Sequence, residues 1–243
     1  MNNEYDPFAA IYNRHWGADY RKEALPILER LLLSRIKSGQ SVLDVCCGTG
    51  QVTNAVHKMG FAVTGFDASS EMLRYAAENA RGCELHHADA RDFDLGRKFH
   101  AAYSVFESLN HVPDLAGLTQ AFTQIRKHLR PKAPFLFDLN GEEAFDLYWN
   151  TTDAVVADDR VCVLRMEYDG DSRIATCNAT SFDGGPPSWT RTDFTLRQTC
   201  HDLGDVDDAL REAGFHDVSL FDARDVGMKG DAGYARTFIL ATA

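Results

Sequence analysis

Ser41-Val42-Leu43-Asp44-Val45-Cys46-Cys47-Gly48-Thr49-Gly50-Gln51 decides the fold. An apolar run holding one acid stops at Gly-Thr-Gly, and the apolar residues that follow (Val52, Ala55, Val56, Met59) recur at helical spacing. The stretch therefore reads as a strand, a tight turn and a helix. Glycines at 48 and 50 let the backbone take left-handed angles and leave no side chain between main-chain N–H groups and a ligand. A helix starting there offers unpaired N–H groups and a positive dipole end to an anionic or polar group. The expected occupant is a ligand containing a nucleoside.

Glycine turns serve several cofactor folds, so the detail matters. The dinucleotide fingerprint G-x-G-x-x-G needs a glycine where this chain has Thr53. A nucleotide-dependent oxidoreductase is thereby disfavoured. Asp44 lies inside the strand, where its carboxylate is expected to face the ligand and pair with an ammonium. Val42-Leu43-Asp44-Val45-Cys46-Cys47-Gly48-Thr49-Gly50 closely resembles the first motif of class I methyltransferases that use S-adenosylmethionine. The resemblance implies that cofactor, held here by Cys46, Gly48 and Gly50 beside Asp44.

Composition narrows the class further. A chain of 243 residues can bury a real core, and its formal charge of -11 with no basic cluster opposes phosphate backbones. Nucleic acid is not an expected partner. No apolar run approaches the roughly 20 residues that span a bilayer, so neither is a membrane. The start, Met1-Asn2-Asn3-Glu4, has neither a basic region nor an apolar run, and no signal peptide is expected. Six cysteines without C-x-x-C spacing read as reduced thiols in a cytoplasm.

Along the chain, Tyr5 to Tyr20 is unusually aromatic, and a dangling arm of that kind would expose apolar surface without benefit. In the small-molecule methyltransferases that the chain resembles, this segment closes over cofactor and substrate. Tyr12, His15, Trp16 and Tyr20 are the candidates there, Tyr12 as a catalytic contact, His15 and Trp16 on the substrate and Tyr20 on the cofactor. Leu25, Leu28, Leu31, Leu32 and Ile36 predict an amphipathic helix over 21–36, with Pro26 near its start. A second strand over 61–66 ends in Asp67, 17 residues beyond Gly50, where an acid can accept both ribose hydroxyls. By resemblance, Ala68 and Met72 line the adenine, and Asp89, after a third strand over 83–87, accepts from its amino group, with Ala90 beside it at the cofactor. Adjacent His86 and His87 point to opposite faces of that strand, and no metal site is read from them.

A fourth strand over 99–105 opens into Phe106-Glu107-Ser108-Leu109-Asn110-His111, and in open α/β sheets ligands lie outside the carboxyl ends of strands. Phe106 is expected at the cofactor, Glu107 and His111 at the chemistry and Asn110 at the substrate. His111 is a candidate general base, with capping of the helix that begins near Leu115 as the alternative. A fifth strand over 135–139 brings Asn140 to the same edge as a substrate contact. Strand-like alternation over 154–158, 161–168, 173–182 and 189–200, broken by Asp-Gly and Gly-Gly-Pro-Pro turns, then predicts antiparallel hairpins. A helix over 204–213 and two last strands close the chain.

The expected fold is α/β, a Rossmann-like seven-stranded methyltransferase sheet with helices on both faces plus an inserted antiparallel β-sheet. Residues 1–40 form a lid and helix, 41–150 with 201–243 the cofactor-binding core, and 151–200 the insert. With the run from Arg91 to Phe99 and the insert, the chain most closely resembles the branch of sugar amine N,N-dimethyltransferases and glycine-type N-methyltransferases. That resemblance implies transfer of a methyl group from S-adenosylmethionine to a small-molecule acceptor. An amine is favoured, because Glu107 and the overall acidity attract a cation; O-methylation and non-catalytic cofactor binding are the alternatives. Acceptor identity is not readable from the sequence, and a homodimer stays open.

Overall fold

Strand β1 (Ser41–Val45) is apolar on both faces, with Leu43 and Val45 buried among one group of helices and Val42 among another. A parallel strand covered on both sides requires that pattern. In this computed structural model, which describes residues 4–185 and 187–243, β1 is followed by β2 (Ala62–Asp67), β3 (Glu84–His87), β4 (Ala101–Ser104) and β5 (Pro134–Asn140), all parallel. Met1-Asn2-Asn3, at the head of the expected lid, and Pro186, in an expected hairpin turn, lie outside the described residues. Next come β6 (Thr152–Ala157), β7 (Arg160–Asp169), β8 (Ile174–Gly185) and β9 (Ser188–Thr199), an antiparallel sheet in sequential order. Finally β10 (His216–Asp222) and β11 (Arg236–Thr242) return to the first sheet, where β11 lies antiparallel between β5 and β10. The order is β10-β11-β5-β4-β1-β2-β3, the seven-stranded mixed sheet with a separate antiparallel sheet that the sequence predicts.

Seven α-helices pack around these sheets among the described residues: α1 (Ala9–His15), α2 (Gly17–Leu31), α3 (Gln51–Lys58), α4 (Ser70–Asn79), α5 (Leu115–Lys127), α6 (Glu142–Tyr148) and α7 (Leu203–Glu212). Strand residues of alternate parity face opposite layers. Phe135, Phe137 and Ile239 meet Leu118, Phe122, Val206 and Leu210 of α5 and α7. Leu136, Phe238 and Tyr103 meet Ile27 and Leu28 of α2 and Val52 and Val56 of α3. The chain runs outward from β1 through β2 and β3, then crosses back to β4 on the other side. That reversal leaves a crevice at the carboxyl ends of β1 and β4.

The aromatic arm covers this crevice. Phe8 and Ile11 are buried against Cys162, Leu164, Cys177, Ala179 and Leu196 of the second sheet, together with Met72 of α4. Polar contacts fix the arm to the first sheet as well: Asp6 accepts from the Ser69 hydroxyl at 2.6 Å, and Asn13 Oδ1 accepts from the amides of Gln51 and Asn79 at 2.8 and 2.7 Å.

One helix departs from expectation. It starts at Gly17 rather than Arg21, so Pro26 sits in its interior, and it stops at Leu31 before a 3₁₀ turn over Leu33–Arg35. Its buried face is Ala24, Ile27, Leu28 and Leu31, leaving Leu25 and Ile36 only partly covered. Gly17 also lies close to the start of α3: a Cβ there would stand 2.7 Å from the end of the flexible Gln51 side chain, which would have to move aside.

Candidate active site

After β1 the backbone turns through left-handed angles at Cys46, Gly48 and Gly50 (φ 59°, 54° and 79°). Gly50 is required twice over, because a Cβ there would also stand 2.9 Å from Ala76 Cα of α4. Asp67, at the end of β2, holds the turn: its Oδ2 accepts the Gly48 N–H at 2.8 Å and its Oδ1 accepts the Ser69 N–H at 2.9 Å. A carboxylate has about four lone-pair sites, and two are thereby committed. Asp67 also lines a cavity of about 560 Å³. That volume lies within the roughly 300–1,000 Å³ usual for small-molecule sites.

The cavity wall also contains Asp44, Cys46, Gly48, Ala68, Met72, Asp89, Ala90 and Phe106, eight more of the expected cofactor residues. A Cβ on Gly48 would first meet Tyr12 Cε1, at 3.8 Å, so the glycine keeps backbone open beneath the tyrosine ring. A group carrying ribose hydroxyls and a cation fits this donor set: carboxylates on the wall, an open glycine turn and the adjoining start of α3.

The three acids differ in state. Asp44 is buried and its Oδ2 accepts from the hydroxyls of Thr53 (2.6 Å) and Tyr103 (2.7 Å). Burial nonetheless pushes its carboxyl up to about 7, with Asp67 adding to the rise. Asp67 is raised by burial too, though the Ser69 and Gly48 amides hold it back. Asp89 is instead lowered by Arg91, which binds it through Nε at 2.9 Å and Nη2 at 2.6 Å. Arg91 is a cavity residue that the sequence reading missed.

His111, also on the cavity wall, is fixed in one tautomer. Its Nδ1 lies 2.6 Å from the Arg197 carbonyl, which can only accept, so Nδ1 carries the proton. Nε2 then receives the Tyr5 hydroxyl at 2.6 Å, with the Gln198 amide 3.0 Å away. Burial drives the imidazole down to about 4, against the pull of the Arg197 carbonyl. His111 caps nothing: Asp114 is the α5 cap, accepting from Gly117 N–H at 2.7 Å. Tyr5, Arg197 and Thr199 join Tyr12 and His111 on this wall, and none of the three was singled out from sequence.

Several expected site residues face elsewhere. Glu107 does not line the cavity and cannot draw in a cation, because it is ion-paired with Arg236 Nη2 at 2.5 Å. Asn110, fully buried, is spent on structure: it donates to the Thr199 carbonyl at 2.8 Å and accepts the Asn140 N–H at 3.0 Å. Asn140 is thus engaged through its backbone and is not on the cavity wall. Trp16, at the break between α1 and α2, packs on Phe8 (5.4 Å between rings) with His15 beside it, and neither lines the cavity. Tyr20 lies behind the wall, its ring 4.3 Å from that of Phe106. Phe106 and Glu107 are consecutive left-handed residues (φ 68° and 44°), a conformation costing about 1–2 kcal/mol at each non-glycine position.

A family model described as a methyltransferase domain matches residues 42–132. The dTDP-3-amino-3,4,6-trideoxy-alpha-D-glucopyranose N,N-dimethyltransferase of Streptomyces venezuelae is 35% identical over 149 residues, 59% of this chain and 61% of that protein. The match thus spans less than two thirds of that relative's length. Among solved structures, Streptomyces venezuelae DesVI is 25% identical with a TM-score of 0.76, covering 99% of this chain and 98% of that one. A S-adenosylmethionine-dependent methyltransferase from Clostridium acetobutylicum shares the fold with a TM-score of 0.79 at 22% identity, over 99% of both chains.

Proposed function

We propose that the chain is a class I S-adenosylmethionine-dependent methyltransferase and that it transfers a methyl group from that cofactor to the nitrogen of a small-molecule amine. The cofactor, when bound, supplies a methyl carbon activated on a sulfonium. Asp67 holds ribose hydroxyls with the lone pairs that Gly48 and Ser69 leave, Ala68 and Met72 flank the base, and Asp44 faces the cationic end. Asp89 serves the base edge while its other contacts stay with Arg91.

The observation that carries the amine reading is the state of His111. It is the only imidazole on the cavity wall among the described residues, it is neutral, and its basic nitrogen already receives a hydrogen bond. Glu107, the other candidate base, is ion-paired with Arg236 outside the cavity. A hydroxyl acceptor needs a base to become a nucleophile, whereas a neutral amine arrives with its lone pair. Tyr5, Tyr12 and Phe106 contribute by excluding water and limiting the acceptor's orientations. An amino sugar, as in the name of the Streptomyces venezuelae relative, is the first acceptor class to try. Free cysteines throughout suit a cytoplasmic, reducing setting.

The test is calorimetric titration with S-adenosylmethionine and S-adenosylhomocysteine, with and without Asp67→Ala, followed by paired acceptors differing only in amine against hydroxyl. Micromolar binding weakened by the substitution, with transfer to the amine alone, is expected. Equal transfer to hydroxyl acceptors would reject the amine assignment, and no binding would reject the cofactor.

A further inference from the structure

Arg236 opens β11 and is almost wholly buried, and each of its nitrogens has a partner. Nη2 meets Glu107, Nη1 meets Asp138 and Nε donates to the Ala232 carbonyl at 2.7 Å. Asp138 Oδ2 also accepts the backbone N–H of Glu107 at 3.1 Å. The guanidinium therefore reaches Glu107 twice, directly through its carboxylate and indirectly through the acid that holds its amide. What it grips is the left-handed pair Phe106–Glu107, in a loop whose Val105, Phe106 and Ser108 line the cavity.

Strand pairing does not need this contact. β11 and β5 are already in antiparallel register from Arg236 opposite Asn140 to Thr242 opposite Pro134. What Arg236 adds is a tie from those two strands to the loop after β4. We infer that Arg236 is a positioning residue of the methyl-transfer site, a fork that holds the Phe106–Glu107 turn in its strained conformation and so fixes the Phe106 wall. The inference rests on the methyltransferase reading for its functional consequence, and on geometry alone for the clamp. Strained backbone persists where its surroundings over-determine it, and a planar fork bridging two carboxylates does that in a way a lysine cannot.

The experiment is amide hydrogen exchange by mass spectrometry on the ligand-free protein, comparing the parent chain with Arg236→Lys and Glu107→Gln. Peptides covering 104–110 should exchange about tenfold or more faster in both variants, while 134–140 and 237–242 keep their protection. In parallel, Kd for S-adenosylhomocysteine and KM for the acceptor should rise about tenfold, with kcat held within about twofold. Unchanged exchange over 104–110 would overturn the clamp whatever happens to turnover, and so would equal loss of protection in all three segments. Glu107→Gln keeps shape and backbone contacts, so it decides the matter if Arg236→Lys does not fold. Accelerated local exchange in a protein that binds no S-adenosylhomocysteine would sustain the clamp and reject the cofactor reading instead.

Discussion

The hydroxyl of Tyr5 donates to Nε2 of His111 at 2.6 Å, joining the arm to the loop after β4 on the cavity wall. Their rings meet edge to face, 4.9 Å apart. Tyr5→Phe keeps the ring contact and removes the hydroxyl that donates to His111. The arm keeps its other anchors at Asp6 and Asn13, so the fold should lose only about 1 kcal/mol, the usual worth of one such bond. Acceptor affinity should suffer more, with KM up roughly tenfold for about 1.4 kcal/mol of lost closure. Steady-state kinetics beside a urea melt checks both, and an unchanged KM would mean the latch has no part in acceptor binding.

His111 makes a distinct prediction for pH. Its folded value, near 4, lies below the ordinary 6.5, so between those values the unfolded chain holds a proton that the folded chain refuses. The stability it contributes is fully present above about pH 6.5 and is lost as pH falls toward 4, on the order of 3 kcal/mol. His111→Gln should flatten the stability profile across that window. The same depression predicts no rising limb from His111 in kcat/KM between about pH 5.5 and 8. A limb near 6.5 that vanished in the variant would restore His111 as a base.

Asp44 works in the opposite sense. Its carboxyl sits near 7 in the folded chain against 3.8 ordinarily, so its contribution is complete below about pH 4 and disappears as pH rises through 7. At pH 8 the buried charge costs on the order of 4 kcal/mol. Asparagine preserves an oxygen for the Thr53 and Tyr103 hydroxyls without the charge. Asp44→Asn should therefore be more stable than the parent by roughly 1–3 kcal/mol above pH 7, the gap closing toward pH 4. Affinity for the cationic cofactor should fall in the same variant, and parent affinity should rise with pH through 7. Denaturant melts and calorimetry at pH 5 and 8 measure both.

What could be read beforehand divides along the range of the interactions. The turn, Asp67 and the hairpins are local, set by glycine spacing and by the two-residue period of strands, and the sequence carries them directly. Glu107 illustrates the limit. Its place after β4 was legible, but its partner Arg236 arrives through the β5–β11 register, which no local pattern encodes. The arm shows a middle case. Its aromatic character predicted a cover, yet the helix break at Trp16 turned Trp16 onto Phe8 and left Tyr5 and Tyr12 at the cavity. Arg197 and Thr199 were hidden for a different reason: they sit in the second sheet, whose docking on the first only the folded chain reveals.

Asp67 gives the sharpest test of the cofactor half, because its two oxygens do different jobs at once. Oδ2 takes the Gly48 amide and Oδ1 the Ser69 amide, so both must be acceptors. Asparagine offers one oxygen and one NH2 group, and whichever way it turns it sets a donor against a backbone donor. Asp67→Asn should thus be no milder than Asp67→Ala, against the usual ranking of an isostere over a truncation. An opposed, buried N–H costs about 1–3 kcal/mol, which should appear as a lowered melting temperature in both variants. Binding of S-adenosylhomocysteine should weaken by roughly a hundredfold, since the glycine turn is loosened and the ribose acceptors are lost together. Thermal melts and calorimetry on the two variants decide it: near-parent affinity in Asp67→Asn would show that the carboxylate serves the turn's geometry far less than its two amide contacts indicate.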